Sequence, residues 1–176
     1  MVGQVIWVTG LSGSGKTTIA EGLCLRFREL GLSPVILDGD ILREIFNGTD
    51  NDNETHDRNE RINLSRKYGL LCKNISSQGF TVIIATVSMF NEVYAWNRQN
   101  LPNYFEVYLD VPLKELIRRD PKNIYERFTT GAIRNVAGLD LRVDQPNDAH
   151  LRIEFEEGYT IEEIVDDIFK NWSTKG

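Results

Sequence analysis

The sequence predicts one α/β domain over residues 1–176, built on a mainly parallel sheet with helices on both faces. Two observations predict it. Five short apolar runs, 5–8, 34–37, 80–86, 104–110 and 151–155, are separated by segments of helical length. That order implies parallel strands joined by right-handed crossovers. The runs are also apolar almost throughout, as strands are when both faces are covered. In such sheets ligands sit at the carboxyl ends of the strands. Gly10–Thr17, Asp38–Arg43 and Thr86–Arg98 are therefore expected around one crevice.

The elements follow in order. VIWV (5–8) is β-branched and apolar and ends at Gly10, as a buried strand would. From Thr17 the apolar residues Ile19, Ala20, Leu23, Cys24, Phe27 and Leu30 fall at helical spacing, and Gly31 supplies the stop. PVIL (34–37) is a second strand, closed by Asp38-Gly39-Asp40. A helix over about 59–77 carries Leu64, Tyr68, Leu71 and Ile75 on one face. FTVIIAT (80–86) is the most apolar strand, followed by a helix at about 92–100 and the strand YFEVYLD (104–110). Pro112 suits the first turn of the helix LKELIRR. After LRIEF (151–155), Thr160 and Glu163 form a capping-box pattern ahead of an apolar stripe ending at Trp172.

The net charge of −6 argues against a broad nucleic-acid surface, although local basic groups could still hold a phosphate. No apolar run is long enough to span a bilayer, and no basic leader precedes the first strand, so a cytoplasmic protein is expected. Cys24 and Cys72 read as buried thiols. His56 and His150 have no partners at metal-ligand spacing.

GLSGSGKT, Gly10 to Thr17, matches G-x-x-x-x-G-K-[ST] between a strand and a helix. Its glycines let backbone N–H groups curl toward phosphate oxygens. Lys16 can then reach the β- and γ-phosphates, and the Thr17 hydroxyl can bind Mg²⁺. No N-K-x-D segment selects guanine, which leaves a small-molecule kinase needing an acid near the acceptor and a basic cover. Asp40 could accept a hydroxyl proton or position magnesium, with Arg43 one turn beyond; an Asp-Gly turn with a helix cap is the plainer alternative. Residues 118–135 gather Arg118, Arg119, Lys122, Arg127 and Arg134. They read as a solvated face or, given Pro121 and Gly131, as a loop-like lid with limited helix.

These residues resemble the adenylylsulfate kinases, which transfer the ATP γ-phosphate to the ribose 3′-hydroxyl of adenylylsulfate. The likeness runs through GLSGSGKTT (10–18), LDGDILR (37–43), DRNERI (57–62), a strand ending at Ser88, and RDPKNIYERFTTGAIRNVAGLD (119–140). It implies a three-layer P-loop NTPase fold of nucleotide-kinase type, with a five-stranded core, a basic lid over about 118–145, and ATP and Mg²⁺ as cofactors. Carried over by position, Gly10, Ser12, Gly13, Ser14, Gly15, Lys16, Thr17 and Thr18 would hold ATP, and Arg119 would stack on its adenine. Lys122 would reach the phosphates, Asp40 would be the catalytic carboxylate, and Thr17 and Asp40 would attend the metal. Asp38, Arg43 and Arg58 would face the acceptor nucleotide. Ser88 matches a serine described as forming a phosphoserine, although direct transfer needs no such step. Dimers are usual in the family, so a homodimer is implied, without an interface pattern in the sequence.

The departures lie on the acceptor side. Gly-Phe-Ser before the family's Asp-Arg is here Asp52-Asn53-Glu54, and an acceptor-contacting Asn becomes Arg61. Ser-Pro-Tyr-Arg becomes Ser88-Met89-Phe90-Asn91, and the next Asp-Arg becomes Val93-Tyr94, so two expected arginines are absent while Arg98 remains. Phe90, Tyr94 and Trp96 could stack on a different base or pack locally. The resemblance implies an ATP-dependent kinase of an activated nucleotide, adenylylsulfate or a related conjugate; a branch of the family acting on cytidine diphosphoramidate fits the lost arginines. The alternatives are a P-loop kinase of another nucleotide or small hydroxy-metabolite, and a non-catalytic ATP-binding regulator.

Overall fold

The computed structural model describes residues 3–47 and 57–174. The substituted Asp52-Asn53-Glu54 segment and His56 lie outside these described residues. The elements are β1 (Gln4–Thr9), α1 (Lys16–Glu29), β2 (Val35–Asp38), α2 (Gly39–Asn47), α3 (Arg58–Ser77), β3 (Thr81–Thr86), α4 (Asn91–Asn100), β4 (Tyr104–Asp110), α5 (Leu113–Arg119), α6 (Ile124–Thr129), β5 (Leu151–Glu154) and α7 (Ile161–Ser173). The strands lie in the order β2-β3-β1-β4-β5, and every pairing is parallel. The expected mainly parallel sheet is thus wholly parallel.

Alternate residues of each central strand face opposite helix layers, because side chains switch faces at every residue of a strand. Val5, Trp7, Val82 and Ile84 pack with Leu64, Tyr68 and Cys72 of α3 and Val93 of α4. Ile6, Val8, Ile83 and Phe105 pack instead with α1 and α7, where Phe27 meets Trp172 edge-on at a centroid distance of 4.8 Å. Both faces are therefore covered. The sequence-read cap forms, with Thr160 and Glu163 opening α7, and the structure adds a second that the sequence reading missed, Asp57 and Glu60 opening α3; each pair exchanges side-chain and backbone hydrogen bonds.

Two elements differ from the sequence reading. The Asp38-Gly39-Asp40 turn is the end of β2 running directly into α2, so Asp40 stands in a first helical turn. The basic lid holds more helix than a loop: α5 and α6 flank Asp120-Pro121, and the Asp120 carboxylate accepts from the backbone N–H groups of Tyr125 and Glu126. No helix among the described residues is long and apolar enough to cross a membrane.

Candidate active site

The carboxyl ends of β1, β2 and β3 and the 119–137 segment enclose one cavity of about 1120 Å³. Seven lysines and arginines line it against three carboxylates, a positive interior within a chain of net charge −6. That local field favours a polyanion, whatever the sign of the whole protein.

The phosphate loop forms its floor. Ser12, Gly13, Gly15, Lys16, Thr17 and Thr18 line the cavity, whereas Gly10 and Ser14 lie behind it. Gly13 and Gly15 adopt positive φ (81° and 95°), the left-handed conformations that curl the loop ahead of α1. A Cβ on Gly10 would lie 2.7 Å from Ser14 Oγ and 2.8 Å from the Leu109 carbonyl oxygen, so only glycine lets the loop leave β1 this closely. Ser14 Oγ is buried and finds no hydrogen-bond partner among the described residues. Lys16 Nζ donates to the Leu11 carbonyl oxygen at 2.8 Å. Burial pulls its pKa down to about 8, against the opposing pull of Asp40 and Asp38. A polyanion placed here would restore the charge that burial disfavours.

Two carboxylates stand at the end of β2. Asp38 Oδ2 accepts from the Thr17 hydroxyl at 2.8 Å, and its Oδ1 accepts from the Asp40 N–H at 2.8 Å. Asp40 accepts from Arg43 Nη1 at 3.1 Å and from Lys122 Nζ. Burial alone would raise the Asp40 pKa; Lys122, Arg43 and Lys16 outweigh it and hold the carboxyl below its usual range. Asp40 is therefore an ionised carboxylate inside the phosphate cavity, able to take a proton once Lys122 turns elsewhere.

The 119–137 segment is tied to the phosphate loop at several points. The Tyr125 hydroxyl donates to the Ser12 carbonyl oxygen at 2.9 Å, and Arg119 Nη1 donates to that of Gly13 at 3.4 Å. Arg119 also pairs with Glu115 at 2.7 Å and lies 5.1 Å over the Phe155 ring. Lys122, Arg127 and Arg134 line the cavity with it. Arg118 does not; it pairs with Glu115 at 2.7 Å, with its side chain 73 % exposed. The sequence-read basic cover is therefore smaller by one residue.

The acceptor-side residues divide. Arg43 and Arg61 line both the main cavity and a recess of about 20 Å³ behind it. Arg61 Nη2 donates to the Asn135 carbonyl oxygen at 2.7 Å, and burial, then Arg43, brings its pKa down to about 10. Arg58 lines neither space. It is gripped by both carboxylate oxygens of Glu92 (2.8 and 2.9 Å) and by Asp144 Oδ2 (2.8 Å), and it covers the Phe90 ring at 5.2 Å. The Asn91 N–H donates to that same Asp144 oxygen at 3.1 Å, while the Asn91 side chain lines neither space.

Ser88 lines the recess, 6 % exposed and at a φ of 24°. Its Oγ is 2.7 Å from Ser65 Oγ and 2.8 Å from Thr86 Oγ1, in a chain of hydroxyls that ends at the Arg61 carbonyl oxygen. It does not line the main cavity.

All three aromatics pack in the core, and Phe90 also lines the recess. Phe90 is 2 % exposed within the α3–α4 core, Tyr94 is buried against Met89 and Tyr108, and Trp96 packs beside Gly69. Arg98 is likewise structural. It pairs with Glu106 at 2.7 Å, a wholly buried carboxylate that also accepts from the Tyr104 hydroxyl at 2.8 Å. Several site residues carry no signal in sequence: Asp38 as the partner of Thr17, Tyr125 on the phosphate loop, Asn135 holding Arg61, and Glu92 and Asp144 holding Arg58. Each pairing joins segments 21 to 113 residues apart.

The adenylylsulphate kinase family model matches residues 2–154. The chain is 40% identical over 166 residues to the cytidine diphosphoramidate kinase of Campylobacter jejuni, covering 94% of each. To the adenylyl-sulfate kinase of a Picosynechococcus species it is 33% identical over 177 residues, covering 99% of this chain and 96% of the other. Among solved structures, the Mycobacterium tuberculosis APS kinase in complex with AMPPNP and APS superposes with a TM-score of 0.87 at 28% identity, covering 97% and 98% of the two chains.

Proposed function

The chain belongs to the adenylylsulphate kinase family, and from that premise we propose that it transfers the γ-phosphate of ATP to the ribose 3′-hydroxyl of an activated nucleotide, with cytidine diphosphoramidate as acceptor. One observation carries the reading: Asp40, an ionised carboxylate, shares the cavity of the phosphate loop and is held there by the lid residue Lys122.

Lys16 and the loop N–H groups bind the β- and γ-phosphates, and Lys122 leaves Asp40 for the transferring group. The 3′-oxygen then bonds to the γ-phosphorus while its proton passes to Asp40. The bridging P–O bond to the β-phosphate breaks, and its electron pair stays on ADP. Transfer is direct, since the Ser88 hydroxyl is engaged by its neighbours and lies outside the main cavity.

Mg²⁺ fits the donor set as a phosphate-borne ion. The Thr17 hydroxyl and Asp38 carboxylate are hard oxygens 2.8 Å apart. Among the described residues no group of three His, Cys, Asp or Glu side chains could cage a metal, so phosphate oxygens and water would complete its shell. Asp38 is the better metal neighbour of Thr17 than Asp40, which Lys122 and Arg43 occupy. A bound Mg²⁺ would supply positive charge against the charge developing on the phosphates, with Thr17 and Asp38 holding it.

Support for the cytidine conjugate comes from the 40% identical relative and from the absence of arginine at Asn91 and Tyr94. Adenylylsulfate is the second reading, favoured by the family match and by the superposition on the kinase holding APS. The test offers ATP with each acceptor and measures ADP release and 3′-phosphorylated product. Turnover of cytidine diphosphoramidate with the higher kcat/KM is expected. Efficient turnover of adenylylsulfate alone overturns the acceptor assignment, and transfer to neither overturns the kinase reading.

A further inference from the structure

Asp120, Pro121, Lys122 and Asn123 form the short turn that joins α5 to α6. Asp120 and Asn123, which flank Pro121-Lys122, adopt positive φ (21° and 53°). Side chains with a Cβ disfavour that conformation, which persists where the surroundings fix it. The surroundings here are the phosphate loop. The Tyr125 hydroxyl donates to the Ser12 carbonyl oxygen at 2.9 Å, and Arg119 Nη1 donates to that of Gly13 at 3.4 Å. A Cβ on Gly13 would lie 3.4 Å from Pro121 Cδ, so the proline ring also rests against the loop.

Tyr125 is tied at both ends. Its N–H donates to Asp120 Oδ1 at 3.2 Å, which joins it to the turn, and its hydroxyl joins the loop. It is 3 % exposed and does not line the cavity, so it is not placed to touch a phosphate. Lys122 has the opposite character. Its side chain is 54 % exposed and crosses the cavity to Asp40. A lysine is a point charge on a flexible stem, so where its ammonium can reach depends on how firmly its backbone is set.

We propose that Tyr125 is a positioning residue: its bond to Ser12 holds the 120–123 turn on the phosphate loop and thereby sets where Lys122 meets the transferring phosphoryl group. The turn then behaves as a wall of the loop and moves with it, and is not a free part of the lid. The inference rests on the phosphotransfer reading above for what Lys122 does. The contact with Asp40 supplies a second measure of Lys122 that does not depend on turnover.

The test compares wild type, Tyr125→Phe, Lys122→Ala and the double variant as full chains. Tyr125→Phe keeps the ring and removes the bond to Ser12. Its single-turnover rate at saturating ATP is expected to fall about tenfold, the scale of a sub-ångström misplacement. Its ATP dissociation constant, read by calorimetry, should stay within about threefold. In the Lys122→Ala background the same change should cost less than about threefold, because no ammonium is left to misplace. The second readout is the Asp40 carboxyl titration in the nucleotide-free protein, followed by carbon NMR. Lys122 is one of the groups that hold Asp40 down, so Tyr125→Phe should move this titration upward, and should not do so when Lys122 is already absent. Asp120→Asn loosens the turn from its own side. It should show the same dependence on Lys122, which keeps the test decisive if Tyr125→Phe does not fold. A wild-type rate in Tyr125→Phe, a tenfold loss that survives in Lys122→Ala, or a loss confined to ATP affinity overturns the proposal. An Asp40 titration that stays in place overturns it as well. If no nucleotide is phosphorylated, the functional reading fails separately, and the Asp40 titration still decides whether Tyr125 positions Lys122.

Discussion

The donor side of the cavity and the α3–α4 region behind its acceptor side use the same kinds of side chain in opposite ways. On the donor side, Lys16 and Lys122 hold weak or exchangeable partners, a carbonyl oxygen and a half-exposed carboxylate, which a nucleotide's phosphates can replace. On the acceptor side, Arg58 is locked by three carboxylate oxygens and Arg98 by a buried glutamate. An arginine in a recognisable motif is thus not by itself a ligand-binding arginine. What it can do depends on the carboxylates that the fold brings to it.

That contrast can be broken at graded points. The largest effect is expected at Asp40: Asp40→Asn should lower kcat about 10³-fold, in the range for loss of a general base. ATP binding should persist, as checked by calorimetry. A rate equal to wild type would remove Asp40 from the chemistry. Lys122→Ala should lower kcat about 10²-fold through loss of one positive contact to the transferring group. Single-turnover rates at saturating ATP would separate this from weaker binding.

A smaller effect follows from pH. Lys16 titrates at about 8 in the nucleotide-free protein, below its ordinary value of about 10.4. It is charged below pH 8 and loses its proton above it, whereas bound phosphates hold the proton on. The ATP dissociation constant should therefore be level up to pH 8 and then weaken by at most about tenfold per unit. The sign for folding is opposite. The native state releases this proton before the unfolded chain does, so the Lys16 contribution to stability rises between pH 8 and the unfolded value. Lys16→Met should flatten the ATP profile.

The smallest effect on turnover is expected at Arg98. Arg98→Met should leave the acceptor KM within about twofold, because the side chain lines neither space, while costing about 3 kcal/mol of stability by stranding buried Glu106. Urea unfolding and steady-state kinetics on the same preparation would show both. A large rise in KM without destabilisation would return Arg98 to the acceptor.

The donor half was legible in the sequence because its chemistry is local. Gly10 to Thr17 are contiguous, and strand, loop and helix follow one another along the chain. The strands were legible for a similar reason: burial on both faces writes an unbroken apolar run. The acceptor half was not, since its properties belong to pairs. Nothing near Arg58 announces that Glu92, on another helix, and Asp144, at the far end of the lid, will meet around it. Phe90 and Tyr94 read equally well as stacking surfaces or core until the packing of α3 on α4 is known. Asp38-Gly39-Asp40 carries strong turn signals, and β2 entering α2 without a loop overrides them because the helix begins on the glycine itself.

That glycine also separates two readouts that usually move together. A Cβ on Gly39 would sit 2.8 Å from Thr86 Oγ1 and 3.1 Å from the Ala85 carbonyl oxygen, so no larger residue fits without displacing β3. The next position, Asp40, points into open cavity and carries no such steric load. In a library saturating residues 38–40 and scored for both cellular abundance and turnover, position 39 should lose both signals with almost any substitution. Position 40 should keep abundance while losing turnover, so two neighbouring columns of one mutational map would separate the requirement for folding from the requirement for phosphoryl transfer.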